Sequence, residues 1–174
     1  SSKAASALAL SEARVVCATW ESCAAELPSL LAAGAVRERL RTLPLPPATS
    51  SPPSSPSSLS SPPSPWLRWL ARDERRLERA YTLLSFLAHA YVWGEVPVVT
   101  RLPSCLSLPW TAVAAALSRR PVLTYASFNL HNWRRIDPTR PIELGNTCRL
   151  CNFLGGQDEE WFSAVHVSIE AAAG

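Results

Sequence analysis

A stretch of proline and serine from residue 44 to residue 65 limits what this chain can fold into more than any other feature. All but four of these 22 residues are Pro or Ser. Proline removes backbone donors and favours extended polyproline geometry, and a segment so poor in large apolar side chains cannot offset the entropy of ordering itself. We therefore predict a disordered linker or insertion here, with a ligand for SH3 or WW domains as the alternative.

Apolar residues recur at helical spacing on both sides of this stretch. Before it, the pattern predicts one helix that is capped by Ser11 and a second helix that Pro28 opens in its first turn. After it, residues 66–93 predict one long helix, broken near Arg72 and ended by Gly94. The second half of this long helix is apolar nearly all round, which predicts deep burial.

The rest of the chain predicts a loop and two further helices. Residues 95–110 contain three prolines and predict an irregular loop, after which a short helix begins at Thr111. A last helix begins at Asp158 and has one apolar face, formed by Trp161, Phe162, Val165 and Ile169. This helix is still running at Gly174, and Met is absent even from position 1. Both features predict an incomplete chain.

Charge and composition exclude several classes of protein. The net charge is +3, from 17 basic and 14 acidic residues, which is too mild for a nucleic-acid binder. No apolar run approaches the roughly 20 residues that a membrane-spanning helix needs. Five Cys without the spacing of a disulfide framework favour reduced thiols and a cytoplasmic protein.

Few residues stand out as candidates for chemistry. Cys148 and Cys151 form a CxxC pair, but no further zinc ligands lie near them in sequence, so incidental thiols are favoured over a zinc site or a redox pair. His89 lies in the apolar helix and is predicted to be a core histidine, whereas His131 is predicted to be solvated. His166 lies beside the apolar face of the last helix. The pattern alone favours a structural role for it, with a functional role as the alternative.

Five segments taken together carry a resemblance to a known family. They are LPSLLAAGAVRERLRTLP (27–44), LSFLAHAYVWGE (84–95), LPSCLSLPW (102–110), RRPVLTYASFNLHNWRRIDPTRPI (119–142) and FLGGQDEEWFSAVHVSIEAAAG (153–174). In order and spacing, these segments resemble the N-terminal part of indoleamine 2,3-dioxygenases, haem enzymes that open the indole ring of L-tryptophan with O2.

The resemblance implies an all-α fold in two parts. A small N-terminal helical domain would be followed by the first (distal) helix of a large helical haem domain, which would be truncated here. The implied division is N-terminal helices at 1–43, the linker at 44–65, the remainder of the small domain at 66–150, and a linker with the start of the haem domain at 151–174. The proximal haem ligand of the family lies beyond residue 174, so no metal ligand is assigned.

The resemblance also implies a set of pocket residues. His166 is the implied catalytic residue, because related tryptophan 2,3-dioxygenases have a distal His that hydrogen-bonds the indole N–H. Some members of the resembled family have Ser at this position. The implied substrate-binding residues are Tyr125, Phe128, Asn129, Phe162 and Ser163.

The implied activity is haem-dependent cleavage of L-tryptophan, or a related indoleamine, by O2 to N-formylkynurenine in the kynurenine pathway. The cofactor would be haem b, and the full-length protein would be a cytoplasmic monomer that binds neither nucleic acid nor membrane. The isolated chain is expected to be inactive and poorly soluble, because it would lack the iron ligand and expose the last helix. One alternative is a non-catalytic helical binding module that has lost the haem half; another is a module stabilised by zinc on Cys148 and Cys151.

Overall fold

The computed structural model describes residues 2–47 and 64–173, with side chains from residue 7 onward, and it is predominantly helical as expected. The described elements are α1 Ser2–Ala33, α2 Val36–Arg41, α3 Pro65–Ala71, α4 Glu74–Trp93, α5 Ser104–Ala116, a π-helical turn Ala126–Leu130, β1 Trp133–Arg135, β2 Thr147–Arg149 and α6 Gln157–Ala173. Most of the predicted Pro/Ser linker, residues 48–63, lies outside the described residues. No helix within the described ranges is long and apolar enough to cross a membrane.

Helix α1 runs without interruption through Pro28, so the prediction of two helices here is wrong. Proline costs the helix one hydrogen bond, but the helix is buried on one face before it, and the half-buried Leu30 and Leu31 still pack against the core after it, which offsets that loss. The buried face before Pro28 includes Ala13, Val16, Trp20, Cys23 and Leu27. The helix ends at Gly34, whose φ of 63° suits glycine, and the N–H of Ala35 donates to the carbonyl of Leu30 at 3.0 Å. This is the glycine-ended helix terminus known as the Schellman motif.

Helix α4 is the centre of the core and packs against α1, α2, α3, α5 and the π turn. The predicted break before it is confirmed. Asp73 is the N-cap and accepts a hydrogen bond from the backbone N–H of Arg75 at 3.1 Å. Gly94 follows its end with an ordinary negative φ, so space rather than backbone freedom requires glycine there. A Cβ at Gly94 would lie closer than 3.0 Å to the carbonyl of Ala90 and to the side chain of Leu31.

Helix α5 begins at Ser104, seven residues before the predicted start at Thr111. The predicted loop therefore ends at Pro103, and Pro109 lies inside the helix. The reason is again burial, because the side chains of Leu106, Trp110 and Val113 lie in the core on one face of this helix.

A short hairpin that was not predicted leads from the π turn to α6. Its strands β1 and β2 are antiparallel, with Trp133 opposite Arg149. The loop between them is held by the buried side chain of Asn146, which donates to the carbonyls of Asp137 and Pro141 at 3.1 and 2.8 Å. Strands of three residues are too short to show an alternating pattern. The hairpin places Arg149 beside α6, where it contacts Ser163 and Glu159.

Helix α6 packs against β2 and the π turn. Its buried residues are Ser163 and Val167, whereas Trp161, Phe162 and Ile169 of the predicted apolar face are exposed. An apolar face that is open in this chain agrees with the expectation from the sequence.

Candidate functional site

An open cluster of rings lies where α6 meets the π turn. We call Tyr125, Phe128, Phe162 and His166 the aromatic cluster. The rings of Tyr125 and His166 meet edge to face at 5.8 Å between centroids, and the rings of Phe128 and Phe162 do so at 6.2 Å. Tyr125 and Phe162 keep 48% and 47% of their surface exposed, so the cluster is available to a further molecule. Three of the predicted substrate residues and the predicted catalytic residue therefore come together.

The imidazole of His166 has a defined tautomer in its neutral form. Its Nδ1 lies 2.6 Å from the carbonyl oxygen of Phe162, one turn earlier on α6. Because a carbonyl oxygen only accepts, Nδ1 carries the proton, and Nε2 is left as a hydrogen-bond acceptor. The cluster thus combines flat apolar surfaces with one acceptor nitrogen.

A buried polar network lies beneath the aromatic cluster and contains the other two predicted substrate residues. Asn129 and Ser163 are 1% and 2% exposed. The hydroxyl of Ser163 donates to Oδ1 of Asn129 at 2.7 Å, which joins α6 to the π turn. Nη1 of Arg149 donates in turn to the Ser163 hydroxyl. These two residues support the surface from below, and the structure does not bring them to the open face.

Arg149 is the functional candidate that sequence reasoning missed. Its side chain is almost fully buried, its Cζ lies 4.3 Å from the centroid of the Phe128 ring, and its Nη2 lies 3.3 Å from a carboxylate oxygen of Glu159. Burial lowers the pKa of the guanidinium, and the Glu159 carboxylate opposes that shift. The only sequence signal was a lone Arg inside the CxxC pair, about ten residues before an acidic run. Nothing in that spacing predicted the contact.

Glu159 shapes the loop that enters α6. Its carboxylate accepts from the backbone N–H groups of Phe153 and Leu154, both at 2.9 Å, and of Gly155 at 3.1 Å. Together with the Arg149 contact, this makes the first turn of α6 a fixed junction between the hairpin and the helix that carries His166.

The CxxC cysteines have separate environments. Cys148 is half-buried and Cys151 is buried, and both are free thiols. Burial raises the pKa of the Cys151 thiol, and Arg79, whose Nη1 lies 3.4 Å from Sγ, partly opposes the shift. Within residues 2–47 and 64–173, no three His, Cys, Asp or Glu side chains come together as a metal site.

The other two histidines lie away from the aromatic cluster. His89 is half-buried and lies at the edge of the core, so the prediction of a core histidine is met only in part. Its Nδ1 lies 2.9 Å from the carbonyl of Ser85, so one ring nitrogen is satisfied. Burial lowers the pKa of His89. It also lines an open apolar groove of about 410 Å³ with Leu31, Trp93 and Phe153. His131 is partly exposed, as predicted, with Nε2 at 3.9 Å from the Glu78 carboxylate.

Comparison with known proteins gives matches to one family. Residues 64–174 match the family model described as indoleamine 2,3-dioxygenase. The chain is 37% identical over 103 residues to an indoleamine 2,3-dioxygenase of Saccharomyces cerevisiae, covering 56% of this chain and 23% of the relative. It is 30% identical over 157 residues to indoleamine 2,3-dioxygenase 1 of Rattus norvegicus, covering 88% of this chain and 33% of the relative. The chain thus spans about a quarter to a third of the curated relatives it matches.

Proposed function

Because the chain belongs to the indoleamine 2,3-dioxygenase family, we propose that its protein cleaves the indole ring of L-tryptophan, or of a related indoleamine, with O2 to give N-formylkynurenine. The observation that carries the proposal is the aromatic cluster, in which an acceptor nitrogen of His166 lies among open aromatic rings. Haem b is the proposed cofactor, and it supplies the oxygen chemistry when bound. The proposed protein is a cytoplasmic monomer in its complete form.

The cluster suits one wall of an indole site. An indole is flat and apolar with a single N–H donor. Edge and face contacts with Tyr125 and Phe162 contribute roughly 0.5–1.5 kcal/mol each beyond the burial of their area. Nε2 of His166 accepts the indole N–H and fixes the orientation of the ring in its plane. On the side of the cluster, the surrounding rings shield this hydrogen bond from water, which strengthens it.

The described residues fit haem b on one side only. The exposed rings of Tyr125 and Phe162 give a flat macrocycle an apolar surface to approach. Nδ1 of His166 is engaged with the backbone, and its Nε2 is assigned here to the substrate. From the family resemblance, the proposed iron ligand lies outside residues 1–174. These residues therefore bind and orient the substrate on the distal side, and residues 151–174 are proposed as the start of the haem domain.

Asn129 and Ser163 have a supporting role in this proposal. Their buried hydrogen bond fixes the distance between α6 and the π turn, and so between the rings that the two elements carry. Phe128 connects the aromatic cluster with the buried polar network, because its ring contacts both Phe162 and the guanidinium of Arg149.

The test is product formation by the protein expressed from its complete coding sequence and reconstituted with haem b. Incubation with L-tryptophan, O2 and a reductant is expected to yield N-formylkynurenine by mass spectrometry, with both atoms of isotopically labelled O2 in the product. The same preparation without haem b is the control. If the haem-loaded protein binds L-tryptophan and gives no such product, the dioxygenase proposal is overturned and a non-catalytic binding module is favoured.

A further inference from the structure

We propose that Arg149 is a positioning residue of the indole site, holding α6 and the π turn in the one arrangement that presents Phe162 and His166 to the substrate. This inference rests on the proposed function for the identity of the substrate. Its structural part, that Arg149 sets the geometry of the aromatic cluster, rests on contacts within the chain.

The guanidinium of Arg149 joins three segments at once. Nε donates to the Asn152 side-chain oxygen at 2.7 Å and to the carbonyl of Cys151 at 3.2 Å, which closes the end of the hairpin. Nη1 donates to the Ser163 hydroxyl in the second turn of α6, and Nη2 contacts Glu159 in its first turn. The guanidinium carbon Cζ lies over the Phe128 ring of the π turn, 4.3 Å from its centroid.

On α6, a single hydrogen-bonded residue, Ser163, connects Arg149 with the rings of the aromatic cluster. Ser163 directly follows Phe162 on α6 and lies three residues before His166. Arg149 therefore fixes the rotation of the helix turn that carries both open rings. On the π turn, the Phe128 ring is held between the guanidinium at 4.3 Å and the Phe162 ring at 6.2 Å. A movement of the guanidinium would be transmitted to both walls of the cluster.

Only an arginine can make this set of contacts. A guanidinium offers five N–H donors in a rigid plane and a flat face for an aromatic ring. A lysine ammonium in the same place keeps the charge that faces Glu159, but it loses the simultaneous contacts with Ser163, Asn152 and the Phe128 ring. Arg149→Lys therefore separates positioning from charge.

The chain provides a matched control in Arg37. It is as buried as Arg149, at 8% against 7% exposed, and it also ties elements together. Its Nε donates to the carbonyl of Tyr91 at 3.0 Å, and its Nη2 donates to the carbonyl of Glu95 at 2.8 Å. None of its hydrogen bonds involves the aromatic cluster. Arg37→Lys therefore reports the general cost of replacing a buried arginine.

The experiment compares the wild type, Arg149→Lys and Arg37→Lys in the haem-loaded protein from the complete coding sequence. The first readout is steady-state kinetics with L-tryptophan. A misplacement of about 1 Å near a reacting group can cost about a hundredfold. We expect Arg149→Lys to raise KM by about tenfold or more, and Arg37→Lys to leave KM within about twofold while lowering thermal stability.

The second readout needs no turnover. The carbon-bound protons of the His166 ring sense the ring currents of Phe162 and Tyr125, and NMR of histidine-labelled protein, either haem-free or in a diamagnetic state, records their shifts. We expect these resonances to move in Arg149→Lys and to keep their positions in Arg37→Lys.

The two readouts separate the two proposals. If KM and the His166 resonances are unchanged in Arg149→Lys, or if both variants change them equally, the positioning role is overturned while the dioxygenase proposal stands. If the wild type forms no product but Arg149→Lys alone moves the His166 resonances, the geometric role stands and the proposed substrate is wrong.

Discussion

The imidazole of His166 lies 4.2 Å from the ring of Phe162, centroid to centroid, one turn further along α6. The same pair shares a hydrogen bond from Nδ1 to the Phe162 carbonyl. Backbone and ring contacts thus act together to fix the direction in which the free Nε2 accepts. A histidine held in this way is pre-organised to orient a substrate, because little freedom remains to be lost on binding.

Replacement of His166 by Ala in the complete, haem-loaded protein is expected to raise KM for L-tryptophan or to lower kcat. The combined loss in kcat/KM should be on the order of two- to tenfold, since a neutral hydrogen bond contributes about 0.5–1.5 kcal/mol. Steady-state kinetics measure it. His131→Ala is the control, because His131 lies outside the aromatic cluster.

A substrate without the indole N–H sharpens this test. N1-methyl-L-tryptophan cannot donate to Nε2, so the wild type should discriminate against it, and His166→Ala should lose part of that discrimination. Equal discrimination by the wild type and His166→Ala would show that Nε2 does not accept the indole N–H.

Glu159→Gln is expected to destabilise the entrance to α6. Charge-assisted hydrogen bonds contribute about 1.5–3 kcal/mol, and this carboxylate accepts from three successive backbone N–H groups as well as contacting Arg149. We expect a loss of roughly 1–3 kcal/mol in the free energy of unfolding by urea. Amide hydrogen exchange at Phe153, Leu154 and Gly155 should also become faster.

Asp158→Asn is the matched control, since it makes the same change at the exposed neighbouring residue. It should alter the free energy of unfolding by less than about 0.5 kcal/mol. If the two variants are equally stable, the carboxylate of Glu159 does not hold the loop.

The helix pattern of the sequence predicts elements well where local signals agree with burial. Asp73 is both a good N-cap residue and the start of a charged turn, so the break before α4 was predictable. Pro28 is a local signal that burial overrides. Trp20 lies two turns before Pro28 on α1; it is fully buried and packs edge to face against Trp66 of α3 at 6.5 Å. That contact joins residues 46 positions apart, and no local pattern contains it.

In the candidate site, too, some residues could be predicted from the sequence and others could not. The four rings of the aromatic cluster follow from the family resemblance, because their positions match its motifs. Arg149 follows from neither pattern nor resemblance, since its partners Ser163 and Glu159 become neighbours only when the hairpin folds beside α6. A buried ion pair between residues of two neighbouring elements that are not related by a regular spacing leaves no periodic trace in a sequence.

Gly94→Ala is expected to destabilise the protein although its φ is compatible with alanine. The new methyl group would clash with the Ala90 carbonyl and with Leu31 at the contact between α1 and α4. Forcing an extra carbon into such a contact costs typically about 1–3 kcal/mol. Gly156→Ala is the control, because its added Cβ would meet no atom within 4 Å and its φ is not positive. Thermal or urea unfolding measures both, and a Gly94→Ala protein as stable as Gly156→Ala would contradict the close packing.

The stability of the protein is expected to fall as the pH is lowered through the range in which histidine titrates. Burial lowers the pKa of His89 below its usual value near 6.5, so the folded state resists protonation that the unfolded state accepts. Its contribution is therefore fully present above about pH 6.5 and is lost as the pH falls from there toward the folded pKa. The measurement is the free energy of unfolding in urea at about pH 7.5 and about pH 5.5.

His89→Gln should reduce this pH dependence, because the amide can still donate to the carbonyl of Ser85 but does not titrate. His131→Gln makes the same change at a partly exposed histidine and should leave the contribution of His89 in place. Because each variant differs from the wild type at one histidine only, the difference between His89→Gln and the wild type reports the contribution of His89. If His89→Gln loses as much stability between the two pH values as the wild type does, the neutral imidazole of His89 is not what the folded state protects.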